Sequence, residues 1–250
     1  MRKRRDHKEE DFSGVKREKE FNPDSWTPKT ETGKKVKAGE IASLAVILDR
    51  GEKIIEPEIV DFLLKKLETD LLMIGQSKGK FGGGKRTIWR QTQKKSKEGN
   101  KPSFATMAVV GNRNGYVGIG MGKAKETMPA REKATRSAKL NIVRVNRGCG
   151  SWECFCGESH SIPFAVEGKC GSIRIKLMPA PKGTGLIVEK ECKKVIALAG
   201  IKDMYSKTEG QTVTRVNLLY ACVDALRKLT SMKTKHYHQK QFGILEGSNE

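Results

Sequence analysis

The chain has 250 residues, enough for one large or two small domains, and carries 49 Lys and Arg against 29 Asp and Glu, a net charge of +20. An apolar fraction of 36% and a mean hydropathy of -0.56 leave part of it solvated, and no apolar run reaches the roughly 18 to 20 residues that span a bilayer. The basic start Met1-Arg-Lys-Arg-Arg5 has no apolar stretch behind it, so a secretory signal peptide is not expected and the six Cys are read as metal ligands or core thiols before disulfides.

Residues 1–40 are mixed in charge, aperiodic and poor in apolar side chains, and are expected to form a mobile N-terminal arm. Residues 41–84 hold a helix and a joint. Glu56-Pro57-Glu58 opens the helix, with Ile59, Phe62, Leu63 and Leu67 at i, i+3, i+4 and i+8, and Gly-rich Gln76 to Gly84 ends it. Residues 85–148 form a strand-rich domain. Thr87 to Gln93 alternates weakly into the polar stretch Lys94 to Lys101, and Ser103–Val110 and Tyr116–Met121 are strands joined by a hairpin turn at Gly111–Gly115. A helix follows over about Glu126 to Asn141. Its stripe Ala130, Ala134 and Ala138 faces Gly118, Gly120 and Gly122, which share one side of their strand, so helix and sheet approach closely.

Residues 149–161 are a Cys/His segment, and residues 162–230 form a second, C-terminal α/β unit. In it Ile162, Phe164 and Val166 alternate, then Ile173, Ile175 and Leu177, around a turn at Gly168–Gly171. The loop Pro179 to Gly185 leads to a short strand, Leu186 to Val188. A helical stripe of Val195, Ile196, Leu198 and Ala199 is closed by Gly200. Thr212 is the expected N-cap of a last helix with Val216, Leu219, Tyr220, Val223 and Leu226 inward, and residues 231–250 are a fraying polar tail.

The charge is localised. Residues 76–147 hold 18 basic and 3 acidic groups, net +15, whereas residues 41–75 are net -3. A surface this basic calls for a polyanion, nucleic acid or an acidic membrane face. Arg86, Arg90, Lys94, Lys95, Lys97 and Lys101 surround Trp89 and the polar run Gln91-Thr-Gln93. With Arg113 at the hairpin tip, Lys123 and Lys125 at the helix start, and Arg131 and Arg136 on its outer face, they form an expected RNA-contacting set. Sequence readout is not implied. The glycine run Gly118-Ile-Gly-Met-Gly-Lys-Ala-Lys125 fails the nucleotide-binding patterns on spacing. Val117 and Ala124 stand where a P-loop needs Gly and Ser or Thr, and Lys123 stands where the dinucleotide fingerprint needs Gly.

Cys149, Cys154, Cys156 and His160 lie within twelve residues and offer three thiols and an imidazole, the complement of a closed structural zinc site; a Cys-rich loop without stable metal is the other reading. Cys170, Cys192 and Cys222 sit in apolar patterns and read as core thiols. Catalytic constellations are absent. His7-Lys-Glu9 lacks a downstream Pro-Cys-x-x-Cys, no His-Glu-x-x-His occurs, and His236-Tyr-His238 falls in the tail.

Two blocks, Ser103 to Glu126 and Gly171 to Gly185 continuing into Ala199-Gly-Ile201, closely resemble the family of the fifth protein of the small ribosomal subunit, and the likeness spans roughly residues 85 to 230. The resemblance implies an α+β chain: an N-terminal domain like the αβββα double-stranded-RNA-binding fold, then a small α/β sandwich domain. It implies a cytoplasmic, ribosome-bound structural protein that contacts small-subunit ribosomal RNA and neighbouring ribosomal proteins near the messenger RNA entry channel, and that supports decoding accuracy and messenger unwinding. Neither an enzymatic activity, a small-molecule substrate nor a membrane is implied. The family's extended RNA-contacting loop falls at about Lys94 to Pro102, where Ser96-Lys-Glu-Gly-Asn-Lys101 has one glycine in place of the bacterial Gly-rich run. The N-terminal extension and the cysteine segment look like the archaeal branch. A free zinc-containing RNA- or DNA-binding regulator and a zinc hydrolase or deaminase are the alternative classes.

Overall fold

The computed structural model describes residues 23, 26–64, 66–76, 86–233 and 235–247. Three short helices come first: α1 (Glu31–Lys37), α2 (Leu44–Asp49) and α3 (Pro57–Leu63). Thr30 caps α1 by accepting from the Gly33 amide at 3.1 Å. Trp26 and Val36 are buried with Ile41, Leu44, Ile47, Ile54, Ile59 and Val60, and this cluster seats on Tyr116 and Ile142 of the following sheet. Residues 26–40, expected to belong to a mobile arm, are therefore packed instead. Helix α1 buries only Gly33 and Val36, too little to leave a periodic signal. Residues 1–22 and the Gly-rich joint, apart from Gln76, lie outside the described residues. Helix α3 stops at Leu63 because Leu64 is already extended, so Leu67 is not on it, although both side chains still pack against this cluster.

Glu56 holds the helices together. Its carboxylate accepts from the backbone amides of Lys29 (2.8 Å) and Thr30 (2.6 Å) and from Trp26 Nε1 (3.1 Å). Burial pushes this carboxyl up, but the donors from Thr30, Lys29 and Trp26 outweigh it and hold it below the ordinary carboxylate range.

The first sheet is open and antiparallel: β1 (Glu68–Leu72), β2 (Arg90–Ser96), β3 (Gly99–Gly111), β4 (Tyr116–Ala124) and β5 (Ile142–Arg144). The long β3 organises it. One edge of β3 pairs with β2 over Gly99–Ala105 and with β1 over Met107–Gly111, and the other edge pairs with β4. The Lys94 to Lys101 stretch, read as a polar loop, is a two-stranded ribbon closed by Lys97-Glu98. Gly99 takes φ +111 there, and Ser96 Oγ donates to the Gly99 carbonyl at 2.8 Å. Both faces of the ribbon meet solvent, so no apolar alternation marks it in sequence. Strands β1 and β5 were also unforeseen, and they widen the three expected strands to five.

Helix α4 (Thr127–Leu140) lies on the glycine face as expected. Ala130, Ala134 and Ala138 are fully buried, and a Cβ added at Gly118, Gly120 or Gly122 would overlap the α4 backbone at Ala138, Ala134 or Ala130. On the opposite face Met107, Val109, Val117 and Ile119 join a core shared with the second unit.

That unit follows the two-residue β6 (Asn146–Arg147) and comprises β7 (Val166–Cys170), β8 (Ile173–Pro179), β9 (Leu186–Ile187), α5 (Lys190–Leu198), β10 (Met204–Glu209) and α6 (Arg215–Ser231). Its sheet runs β7-β8-β10-β9. Pairing starts at Val166 rather than Ile162, and the turn is at Gly171-Ser172. Helix α6 starts after Thr214, two residues beyond the expected cap, and Tyr220 is 38% exposed instead of inward. Gly200 closes α5 at φ +85 as its position requires. Helix α5 packs against β1, β3, β4 and α6, so both units bury apolar residues in one cluster. Cys192 and Cys222 lie inside it, whereas Cys170 is half-buried at its margin. The described part of the tail expected to fray is instead structured: α7 (His236–Gln241) leads to β11 (Leu245–Glu246), which pairs with β6, and the Phe242 carbonyl accepts from the Cys149 amide at 2.8 Å.

Candidate nucleic-acid interface and metal centre

Register decides which cations act together. Arg90 and Lys123 both stand opposite Ala105, one on each neighbour of β3, and Lys94 stands opposite Lys101. Directly opposed residues point to one face, and alternate residues of a strand share that face. Arg90, Lys94, Lys101 and Lys123 thus project from the side of the sheet that carries Met107, beyond the part the second unit covers. All four are exposed. Lys95 points to the other face, and Lys97 sits in the turn. Of the ribbon cations only Lys101 has an ion pair among the described residues, with Glu98 at 2.9 Å and both side chains mostly exposed.

The remaining residues of the expected set divide. Arg86 is half-buried before β2, and Lys125 is exposed just ahead of α4. Arg136 is exposed on the outer side of α4, and Arg131 is half-buried there. Arg113 stands apart from the others. It lies at the far end of the 13-residue β3, roughly 40 Å from the ribbon turn at about 3.3 Å per residue. Its guanidinium is engaged by Glu68 at 2.7 and 2.9 Å, and its backbone, at φ 53, donates to the Leu198 carbonyl at 2.9 Å. Arg113 docks the hairpin on α5 and does not extend the cationic face.

Cys149, Cys154, Cys156 and His160 converge as their spacing predicts: the three Sγ atoms and one imidazole nitrogen all lie within 4.8 Å of one another. A tetrahedral zinc with Zn–S of about 2.3 Å sets sulfurs about 3.8 Å apart, so a contraction of less than about 1 Å closes the site. Cys149 and His160 are buried, and Cys156 is exposed. Burial, with Cys156 and Cys154 adjacent, pushes the Cys149 thiol up to about 11, while amide donors from Lys182 and Cys156 draw Cys154 down to about 6.

The imidazole is oriented from outside the segment. His160 Nδ1 lies 2.8 Å from Asp203 Oδ2, and both side chains are almost fully buried. With Nδ1–H donating to that carboxylate, Nε2 keeps its lone pair and faces Cys154 Sγ at 3.8 Å. The other Asp203 oxygen accepts from the amides of Gly183 (3.1 Å) and Gly185 (2.8 Å), and the His160 carbonyl accepts from the amides of Lys202 and Asp203. Asp203 escaped the sequence reading because 43 residues separate it from His160 and it follows a helix in no metal-ligand pattern. His238 lies on α7, and His7 and Glu9 fall outside the described residues.

A five-stranded sheet backed by one helix, extended by a cationic ribbon and sharing its core with a smaller unit that borders a Cys3His cluster, defines a two-unit α+β protein of nucleic-acid-binding character. Among the described residues no helix is long and apolar enough to cross a membrane. The family model described as "Ribosomal protein S5, N-terminal domain" matches residues 88–146, and "Ribosomal protein S5, C-terminal domain" matches residues 168–239, together just over half of the chain. Curated relatives named "Small ribosomal subunit protein uS5" are 47% identical in Nanoarchaeum equitans (91% of this chain, 97% of the relative). In Methanocaldococcus jannaschii the figure is 48% (91% and 98%), and in Methanococcus maripaludis it is 42% (92% and 95%). The chain belongs to the ribosomal protein S5 family.

Proposed function

We propose that the chain is a structural constituent of the small ribosomal subunit that binds ribosomal RNA across the exposed face of β2, β3 and β4. The observation that carries this reading is the pairing of Lys94 with Lys101 in one cross-strand row, beside Arg90 and Lys123 flanking Ala105. Like charges in direct opposition weaken a ladder, so the row serves a bound polyanion rather than the fold. Phosphate contacts of this kind position a protein on RNA and gain affinity through counterion release. The αβββα double-stranded-RNA-binding likeness belongs to this proposal, with α3, three of the strands and α4 in those roles. On the family resemblance, the proposal extends to a position near the messenger entry channel, contact with neighbouring ribosomal proteins and a part in decoding accuracy.

The Cys/His cluster is read as a structural zinc site, held by Cys149, Cys154, Cys156 and His160. The donor set fits, and Asp203 supplies the second partner that a ligating imidazole takes. Four protein ligands leave no open position for a substrate water, so a hydrolytic role does not follow. Zinc here would crosslink the segment between β6 and β7, which is too poor in apolar residues to order itself by burial.

Sedimentation of the tagged chain through a sucrose gradient tests the ribosomal reading. A subunit constituent runs almost wholly with small subunits and whole ribosomes. A free regulator stays at the top of the gradient, and that result would replace this reading.

A further inference from the structure

Trp152 is 83% exposed and Phe155 is 93% exposed; among the described residues no other Trp or Phe is exposed. Their placement follows from the local chain. Ser151–Cys154 is a turn closed by the Cys154 amide donating to the Ser151 carbonyl at 3.3 Å, with Trp152 and Glu153 at its apex. Phe155 lies between Cys154 and Cys156, whose thiols turn inward to the cluster, so its ring is left facing out. Large aromatic rings held in water are costly to keep unless something covers them.

The charge around them selects the partner. Residues 149–161 contain Glu153 and Glu158 and no Lys or Arg, in a chain of net charge +20. Glu158 is paired with Lys182 at 2.7 Å, which leaves Glu153 as the segment's unpaired carboxylate among the described residues. Phosphate is disfavoured at such a place, whereas the negative faces of two aromatic rings beside a carboxylate suit a planar guanidinium, which stacks and pairs at once.

We propose that Trp152, Glu153 and Phe155 form a docking surface for an arginine-rich segment of another polypeptide. The proposal goes beyond RNA binding and rests on the zinc reading only for the rigidity of the turn. Two exposed cation–π contacts and one carboxylate should be worth about tenfold in affinity.

The test uses the full-length protein with its metal content measured in the same sample. Fluorescence anisotropy follows a labelled arginine–glycine repeat peptide, its lysine–glycine analogue and an oligouridine. The expected result is that the arginine peptide binds more tightly than the lysine peptide, and that Trp152→Ala with Phe155→Ala weakens it about tenfold while oligouridine affinity is unchanged. Glu153→Gln should weaken it by a smaller factor. Both aromatic side chains are exposed, so an unchanged denaturation midpoint is expected of the double variant and checks that folding is intact. Equal affinity of wild type and double variant for the arginine peptide would overturn the proposal. So would a loss of oligouridine binding, which would make the rings a base-stacking platform. Metal-free protein with full peptide binding would overturn the zinc reading and leave this surface standing.

Discussion

Lys94 stands directly across the β2–β3 ladder from Lys101, and among the described residues Glu98 forms an ion pair with Lys101 and none with Lys94. A like-charged pair in this position costs a two-stranded ribbon roughly 0.2–1 kcal/mol relative to a neutral pair. Lys94→Glu should therefore raise the denaturation midpoint of the full chain slightly and weaken RNA binding at the same time. Urea titration and a filter-binding series on ribosomal RNA measure the two effects. A variant that binds as tightly as wild type would mean the row is idle.

Gly120→Val should damage the fold before it damages RNA binding. Its side chain would enter the backbone of α4 at Ala138 and Ala134, a contact without flexible atoms that could yield. Overpacking of this kind costs about 1–3 kcal/mol or more, so the urea midpoint of the full chain should fall clearly. An unchanged midpoint would show that α4 can lift off the glycine face.

The purified chain, prepared without chelators, should carry about one zinc per molecule. Cys156→Ala should lose it and expose residues 149–161 to proteases. Asp203→Asn should keep the fold but weaken zinc roughly 10- to 100-fold, because the Nδ1 partner that orients His160 is impaired. Competition with a chromogenic chelator reads both variants, and equal zinc affinity in wild type and Asp203→Asn would remove Asp203 from the site.

The N-terminal helices should loosen in acid ahead of the sheets. Glu56 is held below the ordinary carboxylate range, so its contribution is complete above that range and is lost as pH falls through the depressed value. With Trp89 and Trp152 replaced by Phe, Trp26 fluorescence reports the event, since its indole donates to Glu56 at 3.1 Å. Glu56→Gln should remove the acid transition and leave α1 less stable at neutral pH.

What the sequence disclosed follows a physical rule. Helix α4 and its glycine face were legible because small residues recur at both periods, and the Cys3His cluster because its ligands are close in sequence. The β2–β3 ribbon was not, since a ladder solvated on both faces has no apolar alternation to betray it. Strand β10, Met204–Glu209, hid for a related reason: four of its six residues are polar or charged and only Met204 is buried. Helix α1 and Trp26 were missed because their stability comes from Glu56, 26 to 30 residues away. Asp203 and the engagement of Arg113 by Glu68 are likewise contacts between distant segments, which spacing along the chain cannot express.

The salt dependence of binding to small-subunit ribosomal RNA tests the cationic face most directly. If about six to eight side chains meet phosphates, log K should fall with log salt at a slope near -5 to -7. Replacing Arg90, Lys94, Lys101 and Lys123 together by Ala should flatten that slope by roughly three to four units. A slope unchanged from wild type would contradict the account and leave the row a solvated face of the sheet.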